Sequence, residues 1–497
     1  MPADGDLTGG RLTRTIACVN SSQQSFGMGT AVRPRRRFAL IAAVLAACSG
    51  LIACGNSSQR GPNTAATDDP EPMLTDEQRA ALAKLSPASL PEPVADVSNK
   101  WADDADARAF GQKLFFDPRF AGKLLDGDND GSKAALGLKG ETGKVACSGC
   151  HVPESAFSDS RTIRQQISLA AGWGRRRAPS LLDVGHSTLL MWDGRKDSLQ
   201  SQVFGVLESP VEMNSSRLFA AKQIFLNHHD EYEAIFGPLP PLDDTTRFPD
   251  LPAELSGCQK LDAQNACPQP MRGAPGDGAE YDSMAAADQE AVTRVMIDAG
   301  KAIGAYERLL GCGKSRFDDW MHGDKTALTR AEQRGAALFV GAGRCVSCHS
   351  GPFLSDEEFH NVGLRAQRVA TTFINPNDRG IAEGYPLLEA DPLNTKGVFS
   401  DGDDGRVPTS APKNAEGSFR TPRLRCAAQR PSFMHTGQQM TLEQVVAFFS
   451  AGGDPAGYPG KSEIAALQLS EREQADLVAF LRALDGPGPD PALLTAP

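Results

Sequence analysis

The sequence predicts an all-α protein divided into two domains of one kind, and three observations carry that prediction. Apolar residues recur at helical spacing, and no stretch alternates convincingly with period two. Helix-capping signatures recur along the second half. Finally, CSGCH at 147–151 returns as CVSCH at 345–349, so the two halves share a five-residue grammar.

In chain order, residues 1–54 read as a signal region. Within it, RPRRRFALIAAVLAACSGLIAC at 33–54 runs from four arginines through a short apolar core to small residues before a cysteine. The core is too short and alanine-rich for a secure span, which needs about 20 apolar residues. Leucine, two small residues and cysteine form a bacterial lipoprotein cleavage pattern, present as Leu51 to Cys54 and Leu45 to Cys48. Cys54 is favoured as the lipidated mature N-terminus over Cys48, with cleavage without lipid or an uncleaved anchor as alternatives. Residues 1–27 do not resemble a signal, which makes Met28 a candidate start. The expected location is the periplasm, on a membrane anchor.

Residues 55–95 read as a polar tether followed by a first helix, 96–235 as the first domain, 236–285 as an inserted linker rich in Pro, Gly and Asp, and 286–490 as the second domain. From Val292 onward, Val292, Val295, Met296, Ala299, Ile303, Tyr306 and Leu310 keep one face of a long helix. Capping boxes open three more, at Thr329 with Glu332, Thr441 with Gln444, and Ser470 with Glu473. The last continues through Leu477, Phe480, Leu481 and Leu484 and stops at Gly486 and Pro487. A net charge of -11 and a pI near 5.3 exclude nucleic acid as an expected partner.

The repeated pentad defines the cofactor expectation. With 11 Cys and 8 His in 497 residues, chance supplies about 0.004 such pentads. A structural zinc site would have to join pairs 198 residues apart with nothing between them shaped like a zinc ribbon. A thioredoxin-type pair needs no following histidine. Covalent c-type haem needs all three residues, because two thioethers tether the porphyrin edge and the adjacent histidine reaches the iron. Cys147, Cys150, Cys345 and Cys348 are therefore the expected tethers of two haems, and His151 and His349 the proximal ligands. The fold becomes two cytochrome c-like haem domains, each a few helices wrapped on one haem.

Seven further motifs carry a specific resemblance: GQKLFFDPR at 111–119, WDGR at 192–195, VEM at 211–213, CHSGP at 348–352, FHNVG at 359–363, FRTPRLR at 419–425 and FMHTG at 433–437. Over most of residues 100–486 the chain resembles the bacterial di-haem cytochrome c peroxidases and their MauG-type relatives. The resemblance implies that Glu212 is the catalytic acid and base, Gln202 a distal-pocket glutamine, and Trp192 an electron relay between the haems. Splitting peroxide heterolytically requires one proton taken and one delivered, which a distal carboxylate can do.

The implied activity is reduction of hydrogen peroxide to water with electrons from a small donor, a cytochrome c or a copper protein. The alternatives are MauG-like oxidation of Trp or Tyr in a partner protein, and a non-enzymatic di-haem electron carrier.

Departures from the family matter as well. A histidine that caps the resting catalytic haem in many relatives is matched by Ala171 in SLAAGW, so the first haem should be open. The second haem's methionine or tyrosine is matched by Phe449, which leaves that haem five-coordinate or ligated by Met440, Met434 or His435. Ligand positions of a family calcium fall at Arg177 and near Arg430, and cation replacing cation argues against that ion. The sequence DGDNDG at 126–131 has EF-hand oxygens but Gly137 at the twelfth position, and reads as a solvated loop. Cys258, Cys267, Cys312 and Cys426 permit two disulfides in three connectivities, of which 258 with 267 and 312 with 426 is preferred. His360 and His435 belong to family motifs around the second haem, whereas His186, His228, His229 and His322 receive no role.

Overall fold

Twelve helices account for most of the regular structure in the computed structural model, which describes residues 72–129, 135–162, 167–365, 375–454 and 459–497. The expected signal region and residues 55–71 of the tether lie outside them. The helices are α1 (Asp76–Leu85), α2 (Ala105–Phe115), α3 (Cys147–Cys150), α4 (Leu199–Leu207), α5 (Arg217–Asn227), α6 (His229–Phe236), α7 (Ala286–Glu307), α8 (Arg316–Met321), α9 (Arg330–Val340), α10 (Ile381–Glu389), α11 (Leu442–Ala451) and α12 (Glu471–Arg482). None of the described helices is long and apolar enough to cross a membrane.

Capping follows the sequence signals. Thr329 and Ser470 close full capping boxes with Glu332 and Glu473. At α11 only half of the expected box forms: Thr441 accepts from the Gln444 N–H, while the Gln444 side chain accepts from Met440. A further box opens α1 between Thr75 and Gln78.

Each half is built on one pair of helices whose backbones touch. Where α2 meets α7, a Cβ on Gly111 would lie 1.8 Å from the Ala302 carbonyl oxygen. Where α9 meets α12, a Cβ on Gly335 would lie 2.0 Å from the Asp476 carbonyl oxygen. Only glycine permits either approach. The first core gathers Leu114 and Phe115, Phe204, Leu218, and the α7 face Val292, Val295, Met296, Ala299, Ile303 and Tyr306. The second gathers Leu82 and Leu85 of α1 with Phe317, Phe339, Val446 and Phe480.

Chain order and spatial order differ. The helix α7 follows the 236–285 segment in sequence, yet its apolar face completes the first core. The two ends of the described chain cross over in the same way. Helix α1 packs in the second core, while residues 491–495 return to the first. There the Tyr306 hydroxyl donates to the Leu493 carbonyl (2.6 Å), and Gln112 donates to Ala492 (2.7 Å) and Thr495 (2.8 Å). Below α1, Arg425 and Asp318 form a two-point ion pair (2.7 and 3.0 Å) with both side chains fully buried. Arg425 also donates to the Leu85 and Pro352 carbonyls, and Ser86 donates to Asp318.

One departure from an all-helical reading is a two-stranded antiparallel ribbon, Phe359–His360 against Phe419–Arg420. Strands of two residues are too short to display alternation, which is why no period-two signal announced them. Disulfides join Cys258 to Cys267 and Cys312 to Cys426. Residues 237–285 contain no helix, in keeping with a linker composition, but they are fastened to the body through Ser256, Gly257 and Cys258.

Candidate active site

Two cavities of about 320 and about 490 Å³ are each lined by one copy of the pentad. In the first, α3 is a single turn, so Cys147 and Cys150 share a face and the His151 N–H closes on the Cys147 carbonyl (2.9 Å). In the second, a 3-10 turn over Cys345–Ser347 does the same, and the His349 N–H closes on Cys345 (2.9 Å). Neither cysteine pair is joined as a disulfide.

The two histidines are oriented alike. His151 Nδ1 lies 3.1 Å from the Phe157 carbonyl and His349 Nδ1 lies 2.9 Å from the Leu354 carbonyl. A carbonyl only accepts, so Nδ1 carries the proton and Nε2 keeps its lone pair for a metal. Burial holds both imidazoles neutral by lowering their pKa. It also pushes the Cys147 and Cys345 thiols up to about 12 and Cys150 to about 11. These are unreactive thiols, unlike those of a thiolate redox site.

The expected catalytic residues converge on the first cavity. Gln202 projects from α4, and Glu212 follows in the loop between α4 and α5. That loop is held by the 168–174 hairpin, whose Ala171 and Gly172 N–H groups donate to the Glu212 (2.9 Å) and Val211 (3.0 Å) carbonyls. Burial raises the Glu212 pKa above its ordinary value, opposed by the Arg195 charge and a hydrogen bond from Ser209. Ala171, the position that the resemblance matches to the capping histidine, is fully buried and does not line the cavity, whereas its neighbour Ala170 does. The described end of DGDNDG is less solvated than expected. Asn129 is fully buried and donates to the Ala170 carbonyl (2.9 Å), and Asp128 accepts from Trp173 Nε1 (2.8 Å).

A second carboxyl, not foreseen from the sequence, faces the same cavity. Glu307 ends the α7 face that runs through Met296, Ala299 and Ile303, and its Oε2 is buried without a hydrogen-bond partner among the described residues. Burial alone lifts its pKa to about 8.

Trp192 forms part of the wall between the cavities, because it lines both, together with Arg177, Pro179 and Arg420. It sits in a turn closed by Leu190 N–H on the Lys196 carbonyl (2.7 Å), with Gly194 in a left-handed conformation (φ 68°). The indole N–H donates to the Arg177 carbonyl (2.8 Å), and the His435 ring approaches edge-on at 6.3 Å. Of the suggested substitutes for Phe449, Met434 and His435 line the second cavity beside it, whereas Met440 does not and is 37% exposed. His360 also lines it. Its ring nitrogens lie 3.0 Å from Asp356 and 2.7 Å from Glu463, and Asp356, Cys348 and Glu463 together raise its pKa to about 11.

The residues present fit a tethered haem in each cavity. Beyond the thiols and the oriented histidines, Arg420, Arg423 and Arg430 line the second cavity with their Nε atoms buried and unpartnered among the described residues. Glu357 pairs with Arg420 (3.3 Å) and Arg423 (2.9 Å), which leaves one carboxylate for three buried cations, and haem carries two more carboxylates. Calcium does not fit as well. The Arg177 guanidinium donates to the Asp159 and Thr162 carbonyls, and Arg430 to those of Arg423 and Arg425, oxygens of the kind that would coordinate a cation.

Comparison with known proteins agrees with this geometry. A model of the di-haem cytochrome c peroxidase family matches residues 105–253. Cytochrome-c peroxidase IdrP1 of Denitromonas iodatirespirans is 30% identical over 82% of this chain and 88% of its own length. Methylamine utilization protein MauG of Methylorubrum extorquens is 28% identical over 92% and 97%. In fold, the chain is similar to the diheme peroxidase BthA from Burkholderia thailandensis, with a TM-score of 0.53, 20% identity, and coverage of 84% of this chain and 96% of that one.

Proposed function

From this chain's membership of the di-haem cytochrome c peroxidase and MauG family, we propose that it is an oxidoreductase reducing hydrogen peroxide to water with electrons from an external small redox protein. Two haems are carried covalently, on Cys147 and Cys150 with His151, and on Cys345 and Cys348 with His349. The observation that carries the reading is the convergence of Glu212, Gln202 and one pentad on a cavity that shares Trp192 with a second.

Haem, when bound, supplies the open coordination position and the redox chemistry for oxygen–oxygen cleavage. The reduction consumes two electrons and two protons per peroxide and yields two waters. Glu212, with its pKa raised by burial, holds a proton more readily than an exposed carboxylate and can pass it on. The Gln202 amide orients the peroxide beside it. Apolar residues of α4 and α7, among them Val203, Val206 and Met296, restrict water. Trp192, common to both walls, relays electrons from the second cavity to the first. Each pentad holds one haem, and α7, which follows the 236–285 segment in sequence, lines the cavity of the first.

The proposed location is the periplasm, on a lipid anchor at Cys54. The 33–54 layout supports it, and so do two disulfides, which persist in an oxidising compartment.

Glu212→Gln keeps shape and hydrogen bonding but cannot exchange the proton. It is expected to cut peroxide turnover with a reduced cytochrome c or copper protein by about 10² to 10⁴. Both haems, counted by pyridine haemochrome, should remain. Near-wild-type turnover with two intact haems refutes the role and favours the electron-carrier reading. A mass change on a Trp or Tyr of a partner protein, without donor turnover, favours the MauG-like one.

A further inference from the structure

The loop bearing Glu212 has no regular secondary structure, and its position depends on a segment outside the cavity. Asn214, two residues beyond Glu212, is fully buried in a left-handed conformation (φ 48°), which costs a non-glycine residue energy and persists only where the surroundings over-determine it. Its carboxamide pairs with both sides of the Cys258 backbone: Oδ1 accepts from the Cys258 N–H (2.8 Å), and Nδ2 donates to the Cys258 carbonyl (3.1 Å) and the Lys123 carbonyl (2.9 Å). The two chains approach so closely that a Cβ on Gly257 would lie 2.3 Å from the Asn214 carbonyl oxygen.

Cys258 is fixed in turn. A disulfide to Cys267 closes a loop across nine positions, and Gly257 and Arg272 exchange backbone hydrogen bonds (3.0 and 3.2 Å). Ser256 and Ser216 share a buried hydroxyl contact (2.9 Å). The same loop grips a second support of Glu212. Asn265 donates to the Trp173 carbonyl, and Leu261 packs over Gly172, whose N–H donates to Val211. The loop bearing Glu212 is also tied to Gly122, whose N–H donates to the Met213 carbonyl (3.0 Å), and to Ser209, but two of its supports, the 168–174 hairpin and the turn at Asn214, are gripped by the stretch 256–273.

We infer that the disulfide-closed loop Cys258–Cys267 is a positioning element of the peroxide site, acting on Glu212 through Asn214 and Gly172. This inference rests on the proposed peroxidase reading. Asn214 does not line the cavity and touches no reactant, so its effect is on placement. A displacement of about 1 Å in a proton-transfer group can cost on the order of 10²-fold in rate.

The test compares wild type, Cys258→Ser/Cys267→Ser, Asn214→Ala and Asn214→Asp, each as the oxidised two-haem protein. Asn214→Asp keeps the acceptor for Cys258 but sets a buried carboxylate oxygen against the Cys258 and Lys123 carbonyls, which makes it at least as severe as Asn214→Ala. Amide exchange at Ala171 and Gly172, which donate to the Glu212 and Val211 carbonyls, should quicken at least about tenfold in the disulfide and Asn214→Ala variants while α2 and α7 stay protected. The peroxide-driven spectral change should slow by about 10- to 100-fold, and by at least as much in Asn214→Asp as in Asn214→Ala. Unchanged protection at Ala171 and Gly172 overturns the inference. So does lost protection with a peroxide rate within about twofold of wild type. Wild type inert to peroxide, with exchange still quickened in the variants, overturns the peroxidase reading and upholds the coupling of loop to site.

Discussion

Replacing Glu307 with glutamine should change how stability depends on pH, by an amount the structure sets. Burial carries the folded-state pKa from 4.5 to about 8, an interval of about 3.5 pH units, and each unit is worth 1.36 kcal/mol. The sign follows from which state holds the proton. Between these values the folded protein keeps it and the unfolded chain releases it, so stability is fully present below about 4.5 and is lost as pH rises through about 8. The limiting loss is about 5 kcal/mol, of which about 3.5 kcal/mol falls between pH 5 and pH 8. Glutamine carries no such proton. Its own burial cost is independent of pH, so the wild-type-minus-variant difference isolates the effect. Guanidinium unfolding followed by circular dichroism at pH 5, 6, 7 and 8 should show Glu307→Gln gaining on wild type by about 3.5 kcal/mol across that range. Parallel pH profiles would refute the claim that Glu307 is held neutral by burial.

The oxidised wild-type protein should show a high-spin first haem and react with peroxide without prior half-reduction. In stopped-flow spectra Ala170→His, which adds an imidazole to the cavity wall, should slow that reaction, whereas Ala171→His should destabilise the fold by about 1–3 kcal/mol through overpacking, read as a lower denaturation midpoint. Arg425→Met strands the buried Asp318 carboxylate and should cost about 3–5 kcal/mol in denaturant titrations at neutral pH. Asp318, whose pKa burial raises but the Arg425 guanidinium pulls down to about 2, contributes stability that is present above about 3.8 and lost as pH falls through about 2, so the penalty should shrink in acid. Chelator treatment should leave the visible spectrum and peroxide turnover unchanged; a loss restored by calcium would contradict the reading of Arg177 and Arg430.

What could be read from the sequence was local. The pentads, the caps at Thr329 and Ser470, and the α7 face through Val292 and Ile303 are periodic or contiguous signals; the caps and the α7 face stand in the structure as expected, and each pentad lines a cavity. Gln202, Glu212 and Trp192 required the family resemblance, because an isolated acid in a loop has no distinguishing pattern. Glu307 could have been found without it: an acid continuing the helical register of Met296, Ala299 and Ile303 breaks an otherwise apolar face. Asn214 and the arginines at 420, 423 and 430 could not, since their meaning comes from groups far away in sequence, Cys258 for one and the second cavity for the others. Composition also misled: proline and glycine between 236 and 285 suggested a spacer, although glycine at 257 serves close packing instead.

The crossing of the two ends bears on how the molecule matures. Gln112 waits for partners 380 and 383 residues downstream, and α1 is held by side chains more than 200 positions away. The first core, then, stays incomplete until residues 491–495 have returned to Gln112 and Tyr306. Contacts of such long range form late, because the entropy of closing a large loop is paid before they reward it.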